Sequence, residues 1–191
     1  MKRLFLVSIC IVFVMAPAAT HAQERAPLGN SNFALKLDYI NFTNDHFDSP
    51  NSSEGMYIGL EGYGKITPNL YLGGEVGNAI NLDLISGEDI NFVPFELNLK
   101  YATEVARNFV VDCGAGVSYS KVELKYDPTF GPAQRERSDW LFGGQFFADL
   151  TYNNNWFSVG VNAKYQITED FNSESVDLSN WRTGVQIGIT F

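Results

Sequence analysis

The chain has 191 residues, which is enough for one domain of ordinary size and hardly for two. Hydrophobic residues make up 45% of it and the mean hydropathy is −0.10, which excludes a polytopic helical membrane protein. The formal net charge of −9 excludes nucleic acid as a principal partner, because phosphate binding needs a basic surface. Aromatic residues reach 14%, a composition that suits β-strands.

The first 22 residues have the pattern of a secretory signal peptide. Lys2 and Arg3 precede an apolar run over 4–15, and small residues lead to a cleavage point after Ala22. The apolar run is too short to span a bilayer comfortably. We therefore predict a cleaved signal peptide at 1–22, a short N-terminal segment at 23–31 and one domain at 32–191.

Cleavage would remove two basic residues and no acidic ones, so the net charge would move from −9 to −11. The mature chain would then keep one cysteine, Cys113, and one histidine, His46. A lone cysteine excludes an intrachain disulfide framework. We predict no cofactor and no metal site.

The rest of the sequence consists of segments in which apolar residues occupy every second position, and polar, turn-forming clusters separate them. Period-two alternation predicts strands with one apolar face. Eight strands are predicted, at 33–42, 56–64, 70–78, 91–102, 109–126, 140–152, 156–166 and 181–191.

The connections between these strands alternate between long and short. The long ones cover about 43–54, 80–89, 127–138 and 167–177, and the short ones cover 65–69, 103–108 and 153–155. Eight strands with this rhythm, and both termini at the short-turn end, are typical of transmembrane barrels. The predicted fold class is an all-β, eight-stranded antiparallel up-and-down transmembrane β-barrel.

Alternation also fits a soluble sandwich or a lipocalin-like barrel, so the composition of the polar face decides between them. That face combines ten charged residues with nine glycines, whereas the apolar face is almost free of charge. A narrow lumen needs small residues beside large ones, and a charge facing lipid costs about 2–4 kcal/mol. The predicted lumenal charge network is Lys36, Asp38, Glu61, Glu75, Glu96, Lys100, Asp112, Asp149, Lys164 and Arg182.

Aromatic residues of the apolar face cluster near the two ends of the strands, as expected for two membrane interfaces. The belt near the short turns is Tyr101, Phe109, Tyr152, Phe157 and Phe191. The belt near the long loops is Tyr39, Tyr119, Trp140, Tyr165 and Trp181.

The signal peptide, the alternating segments and the terminal VQIGITF together resemble the small outer-membrane β-barrels of the OmpA/OmpX and opacity-like type. The resemblance implies location in the outer membrane of a Gram-negative cell. It also implies that the barrel-assembly machinery recognises the final strand during biogenesis. The residues that would carry this signal are Val185, Ile187, Ile189 and Phe191.

Three further expectations concern individual strands. The final strand should pair with 33–42 and thereby close the barrel. Arg182 on its inner face should be a bidentate partner of the lumenal carboxylates. Pro94 lacks a ladder donor, so it should mark either a bulge or a part of its strand above the membrane.

Three functions fit this pattern. The first is a structural or surface-interaction barrel, in which paired charges plug the lumen and the loops mediate envelope integrity, adhesion or recognition. The second is a narrow pore for ions or small solutes. The third is a lipid A-modifying enzyme that uses His46, Ser86 and Asp89 of the loops, although their spacing matches no recognisable motif and we predict no enzymatic activity.

The predicted partners are outer-membrane lipids and lipopolysaccharide, and the sequence identifies no surface partner. Acidic residues in the loops either bridge to lipopolysaccharide phosphates through divalent cations or are simply solvated. These residues are Asp45, Asp48, Glu54, Asp83, Glu88, Asp89, Glu169, Asp170, Glu174 and Asp177.

Overall fold

The computed structural model describes residues 26–43, 54–80, 83–84, 88–126, 135–171 and 176–191. This part of the chain contains no helix long and apolar enough to cross a membrane. Its long strands are β1 (Ser31–Phe42), β2 (Glu54–Thr67), β3 (Leu70–Ile80), β4 (Glu88–Ala106), β5 (Phe109–Tyr126), β6 (Arg135–Asn154), β7 (Phe157–Thr168) and β8 (Asn180–Thr190). The two-residue strand Asp83–Leu84 pairs with the start of β4, and Asp170–Phe171 pairs with Val176–Asp177.

The strands form one closed antiparallel sheet in the order β3-β2-β1-β8-β7-β6-β5-β4, and pairing between β3 and β4 completes the circle. The predicted eight-stranded barrel is confirmed. The predicted closing pair is confirmed as well: β1 and β8 pair from Asn32 with Thr190 to Phe42 with Asn180. Closure matters because it leaves no strand edge with unpaired backbone groups.

Three tight connections define one end of the barrel, which we call the turn end, and the long connections define the loop end. The residues between paired strands at the turn end are 68–69, 107–108 and 155–156. Asn108 and Asn155 have positive φ values of 68° and 58°. Asparagine tolerates this left-handed conformation better than most residues, which explains its use in these turns.

The outward face is apolar along every strand, as predicted. None of the outward positions between the two aromatic belts is charged. Contacts between aromatic rings connect neighbouring strands in both belts. Tyr119 stacks on Trp140 at the loop end with a centroid distance of 4.7 Å, and Phe109 meets Tyr152 at the turn end at 5.2 Å. A soluble protein rarely exposes so large an apolar surface, so this band fits the hydrocarbon of a bilayer.

Several strands are longer than predicted, and β4 and β6 differ most. β4 covers Glu88–Ala106 instead of 91–102, and β6 covers Arg135–Asn154 instead of 140–152. Beyond the apolar band the alternation of residue types fades, but backbone pairing continues, for example between Lys125 and Glu136. The alternation of residue types is thus confined to the apolar band, whereas the hydrogen-bonded strand pairing extends beyond it.

Of the two alternatives predicted for Pro94, the bulge is wrong, and a part of the strand above the membrane stays a prediction. Pro94 pairs in register with Ser120 of β5, and the irregularity between these strands lies at Glu104/Ala106. On the opposite edge of β4, which pairs with β3, no pair is formed between Val76–Phe95 and Ala79–Phe92, and the register is the same before and after this gap. Because proline has no N–H to donate, the ladder lapses here while the alignment of the strands persists.

Candidate functional site: the filled barrel interior

The inward positions of the strands hold the charged residues of the barrel wall between the two aromatic belts. All ten residues of the predicted lumenal network are buried, with at most 7% of their surface exposed. Inward glycines provide the space that these side chains need. A Cβ at Gly184, for example, would collide with the backbone oxygen of Leu37 and the carboxylate of Asp38.

Charges of one sign lie side by side on the barrel wall. Glu75 of β3 is paired in register with Glu61 of β2 and with Glu96 of β4, which makes an acidic wall. Lys164 of β7 is paired with Arg182 of β8, which makes a basic wall. Lys36 lies on the next strand, β1, where it is paired with Gln186 of β8. Like charges directly opposite one another on adjacent strands are destabilising, so each wall depends on the opposite wall for compensation.

The two walls meet in short ion pairs across the lumen. The Lys164 ammonium lies 2.6 Å from Glu75 and 2.5 Å from Glu96. The Lys36 ammonium lies 2.8 Å from Glu61. The Lys164 contacts join β7 to strands on the opposite side of the barrel, whereas the Lys36 contact joins the adjacent strands β1 and β2. The network therefore cross-braces the lumen in addition to filling it.

Arg182 is central to this network, but not in the way that was predicted. Its Nη2 lies 2.5 Å from Oε1 of Glu96, and its Nη1 lies 3.4 Å from Oε1 of Glu75. The guanidinium therefore joins two carboxylates through separate nitrogens, and the expected bidentate contact with one carboxylate is wrong. The reason is that Glu75 and Glu96 are directly paired on adjacent strands, so both carboxylates lie within reach of the two terminal guanidinium nitrogens. The guanidinium also lies over the ring of Tyr57, 4.3 Å from its centroid.

The remaining charges are held more loosely, and Lys100, Asp112 and Asp149 among them lie nearer the turn end. Asp112 and Asp149 are cross-strand neighbours. Their nearest ion pairs are 3.8 Å from Asp112 to Lys100 and 3.6 Å from Asp149 to Lys36. Lys100 lies over the ring of Tyr63, 3.9 Å from its centroid. Asp38 accepts a hydrogen bond of 2.8 Å from the amide of Asn162.

Uncharged polar residues continue the filling toward the loop end. The amide of Gln166 donates to Ser118 over 2.8 Å, and the amide of Gln145 donates to Asn98 over 2.7 Å. All four side chains are buried. This layer connects the ion pairs to the apolar residues at the mouth of the barrel.

Apolar side chains close the loop end from inside. Phe42 and Phe92 meet edge to face with a centroid distance of 5.5 Å. Both are buried, although they lie in the otherwise polar inward row. We call this group the loop-end cluster; it consists of Ile40, Phe42, Tyr57, Ala79, Phe92, Val122, Leu141 and Leu178.

A second apolar group closes the opposite mouth. It includes Leu28, which precedes β1 and is only 1% exposed. We call this group the turn-end cluster; it consists of Leu28, Tyr63, Tyr71, Ala102, Val110 and Phe147. The interior is thus filled in three parts, with apolar residues at both mouths and the polar and charged residues between them.

Sequence reasoning missed both clusters as units. The available signal was the loss of alternation at the strand ends, where Tyr39 is followed by Ile40 and Leu141 by Phe142. Two successive apolar residues on a strand place one of them in the lumen. Ala26, Pro27 and Leu28 gave a similar signal just before β1.

The four residues of the predicted assembly signal lie on the outside, three of them in the turn-end half of β8 and Phe191 directly after it. Val185, Ile187 and Ile189 are exposed and pair with Leu37, Leu35 and Phe33 of β1. Phe191 is 65% exposed and contacts the ring of Phe33 at a centroid distance of 6.4 Å. Their role in assembly stays a prediction.

Most of the predicted loop residues lie outside the described residues or are described only in their backbone. The predicted signal peptide, His46, Asp45, Asp48, Ser86 and Glu174 lie outside the described residues. Asp83, Glu88, Asp89 and Asp170 are described only in their backbone. Asp177 accepts hydrogen bonds from the backbone and hydroxyl groups of Ser179. Within the described ranges, no group of three or more His, Cys, Asp or Glu residues is placed to hold a metal ion.

Comparison with known proteins finds likeness at the level of structure. No family model and no curated protein matches the sequence. Neisserial surface protein A (NspA) superposes with a TM-score of 0.70 at 10% identity, covering 85% of this chain and 98% of that one. The N-terminal barrel domain of OprF from Pseudomonas aeruginosa gives 0.56 at 12% identity, covering 85% and 98%. Ail, the attachment invasion locus protein of Yersinia pestis, gives 0.54 at 12% identity, covering 84% and 98%.

At these identities the likeness shows the fold, and the physical properties of the barrel agree with it. The sheet is closed, the outer band is uncharged and apolar, and the charged residues point inward. Only lipid outside and a polar interior satisfy all three properties. The protein therefore has the fold of the small eight-stranded outer-membrane β-barrels of the OmpA/OmpX type.

Proposed function

We propose that the protein is a closed outer-membrane barrel with a structural or surface-interaction role, in which the barrel anchors the long loops at the cell surface. The observation that carries the proposal is the three-part filling of the lumen. Two apolar clusters and an ion-pair network occupy the successive levels of the interior. In an eight-stranded barrel the lumen is only just wide enough for side chains, so filling at all levels leaves no continuous aqueous path.

The alternative of a narrow pore would require the network to part. Opening it would separate buried charges that compensate one another, and an uncompensated buried charge costs several kcal/mol. The loop-end cluster would have to move as well, because Phe42 and Phe92 lie across the same mouth. Conduction would therefore need two costly rearrangements in one barrel.

A surface role accords with the names of two proteins of this fold. One is described as a surface protein and the other as an attachment invasion locus protein, which has also been solved with the heparin analogue sucrose octasulfate. The loops of this chain are rich in acidic residues, so direct binding of sulfate groups such as those of that analogue is not the contact we propose. We propose contact with lipopolysaccharide, in which divalent cations join loop carboxylates to its phosphates.

Location and closure can be tested together. The protein should fractionate with the outer membrane and migrate faster on a gel before heating than after it, because a folded barrel resists detergent. Liposomes that contain the refolded protein should release a small dye no faster than liposomes without protein. A general diffusion porin provides the positive control. Recovery as a soluble periplasmic protein would contradict the location, and dye efflux above the empty-vesicle rate would contradict the closed barrel.

We also propose that the barrel carries out no enzymatic step. The alternative activity on lipid A depends on His46, the one histidine of the predicted mature chain. The variant His46→Ala should leave the lipid A acylation pattern of the cell unchanged. A loss of acyl groups or of acyl transfer in that variant would establish an enzyme.

A further inference from the structure

The segment that precedes β1 crosses the turn-end mouth of the barrel instead of leaving it. Leu28 projects into the lumen and packs within the turn-end cluster. It is as buried as any core residue, although it belongs to no strand. Partly buried Ala26 packs against the same cluster. The segment from Ala26 to Asn30 is therefore part of the filling of this mouth.

Hydrogen bonds fix the backbone of this segment to the inner wall. The N–H of Leu28 donates to the hydroxyl of Tyr71 over 3.1 Å, and that hydroxyl donates to the carbonyl of Gly29 over 3.1 Å. The amide of Asn153 donates to the carbonyl of Pro27 over 3.0 Å. Tyr71 is fully buried. The socket is thus built from residues of β3 and β6 that recognise backbone groups of the segment.

The segment also rests on the end of the closing strand. The N–H groups of Asn30 and Ser31 both donate to the carbonyl of Phe191, over 2.5 Å and 3.3 Å. Gly29 has a φ of 70°, and a Cβ at this position would collide with the Phe191 carbonyl and lie 2.7 Å from Cγ2 of Thr190. Glycine is needed here for its conformation and for its close approach.

The registered strand pairs of the barrel wall do not include this segment, although Asn30 at its end accepts the backbone N–H of Lys65 of β2 over 2.9 Å. The pairing of β1 with its neighbours begins at Ser31 and Asn32, after the segment ends. Its release would expose one large apolar side chain and break a few hydrogen bonds, and every strand pair would remain. Local openings of this kind lie at the low end of the range of opening free energies in a folded protein.

We propose that residues 26–30 are a removable seal of the turn-end mouth, separate from the ion-pair network and from the loop-end cluster. Release of the seal admits water and small solutes from the periplasmic side as far as the network. The proposal rests on the closed barrel proposed above, and it adds that the two mouths open independently.

The test measures the accessibility of a cysteine placed in each cluster. In a Cys113→Ala background, Ala102→Cys reports on the turn end and Ala79→Cys reports on the loop end; both alanines are buried. The purified barrel in detergent micelles presents both mouths to solvent. The measured quantity is the rate of modification by a charged, water-soluble methanethiosulfonate.

The chain offers a matched pair of perturbations, because Leu28 and Leu178 are both 1% exposed and lie in opposite clusters. Leu28→Ala should raise the modification rate at Ala102→Cys by about tenfold or more, since truncating a buried leucine costs more than the 1.4 kcal/mol that corresponds to a factor of ten. It should leave Ala79→Cys unchanged. Leu178→Ala should do the reverse.

Two results would overturn the seal. One is an unchanged rate at Ala102→Cys in a Leu28→Ala barrel that still shows the folded gel mobility. The other is a rise at both reporters with either leucine variant, which would mean that the whole barrel loosens. If Leu28→Ala does not fold, Leu28→Val gives the same test with a smaller expected rise. Dye efflux through the wild-type barrel would instead refute the closed lumen, and the labelling pattern would still decide about the seal.

Discussion

Replacement of Arg182 by methionine tests the cross-bracing of the barrel most severely. The substitution keeps a long apolar side chain but removes the only cation that joins Glu96 to β8 among the described contacts. Glu75 and Glu96 remain as cross-strand neighbours, with Lys164 close to both of them. Breaking a buried ion pair by removing one partner costs about 3–5 kcal/mol, so we expect a loss of that size in the free energy of unfolding.

The assay is urea unfolding of the refolded barrel in phospholipid vesicles, followed by the fluorescence of its three tryptophans. Gln186→Met is the matched control, because Gln186 is also buried on the inner face of β8 and donates one neutral hydrogen bond to Thr151. Its expected cost is about 1 kcal/mol. High salt should change neither value much, because buried charges are poorly screened.

A double variant separates the ion pair from a general packing effect. Glu96→Gln added to Arg182→Met removes both partners, so the combined loss should be smaller than the sum of the single losses by about 1–3 kcal/mol. An Arg182→Met barrel within about 1 kcal/mol of the wild type would refute the cross-bracing. Strict additivity in the double variant would refute the pairing of Arg182 with Glu96.

Three other predictions concern the outer face, the inner wall and assembly. Leu97→Arg, in the middle of the lipid-facing band, should cost about 2–4 kcal/mol, whereas Val105→Arg near the turn end should cost about 0–1 kcal/mol, and equal costs in vesicle unfolding would contradict the membrane placement. Gly184→Ala should destabilise by about 1–3 kcal/mol, because its Cβ meets Asp38, whereas a Cβ at Gly64 has open space and Gly64→Ala should stay within about 0.5 kcal/mol. Phe191→Ala should reduce the heat-modifiable fraction in cells while refolding in vitro is nearly unchanged, since its contact with Phe33 is worth about 0.5–1.5 kcal/mol; a parallel loss in both settings would contradict a role in assembly.

Much of this architecture was predictable because one physical constraint acts on every strand. Lipid outside and a narrow polar lumen inside force alternation, so inward residues such as Lys36 and Arg182 and outward residues such as Leu97 were assigned to the correct face. The closing pair followed from the same pattern. Strand ends were less predictable, because pairing such as Lys125 with Glu136 continues where no bilayer imposes alternation.

The packing within the lumen could not be obtained from alternation. Which lysine meets which carboxylate depends on register and on the reach of side chains across the barrel, and neither quantity is local in sequence. Arg182 shows this: its inward direction was predictable, but its division between Glu75 and Glu96 depends on three strands at once. For Leu28 the sequence showed an apolar residue before the first strand but not its position. The structure explains this residue, because it lies in the socket around Tyr71.

The central claim is that the barrel is closed, and current recording in planar bilayers tests it most directly. The refolded wild-type protein, inserted from detergent at both polarities and in high salt, should give a baseline without steady steps. The Leu28→Ala variant should give the same baseline, because the ion-pair network and the loop-end cluster remain in place. Reproducible single-channel steps from the wild-type barrel would contradict the closed lumen.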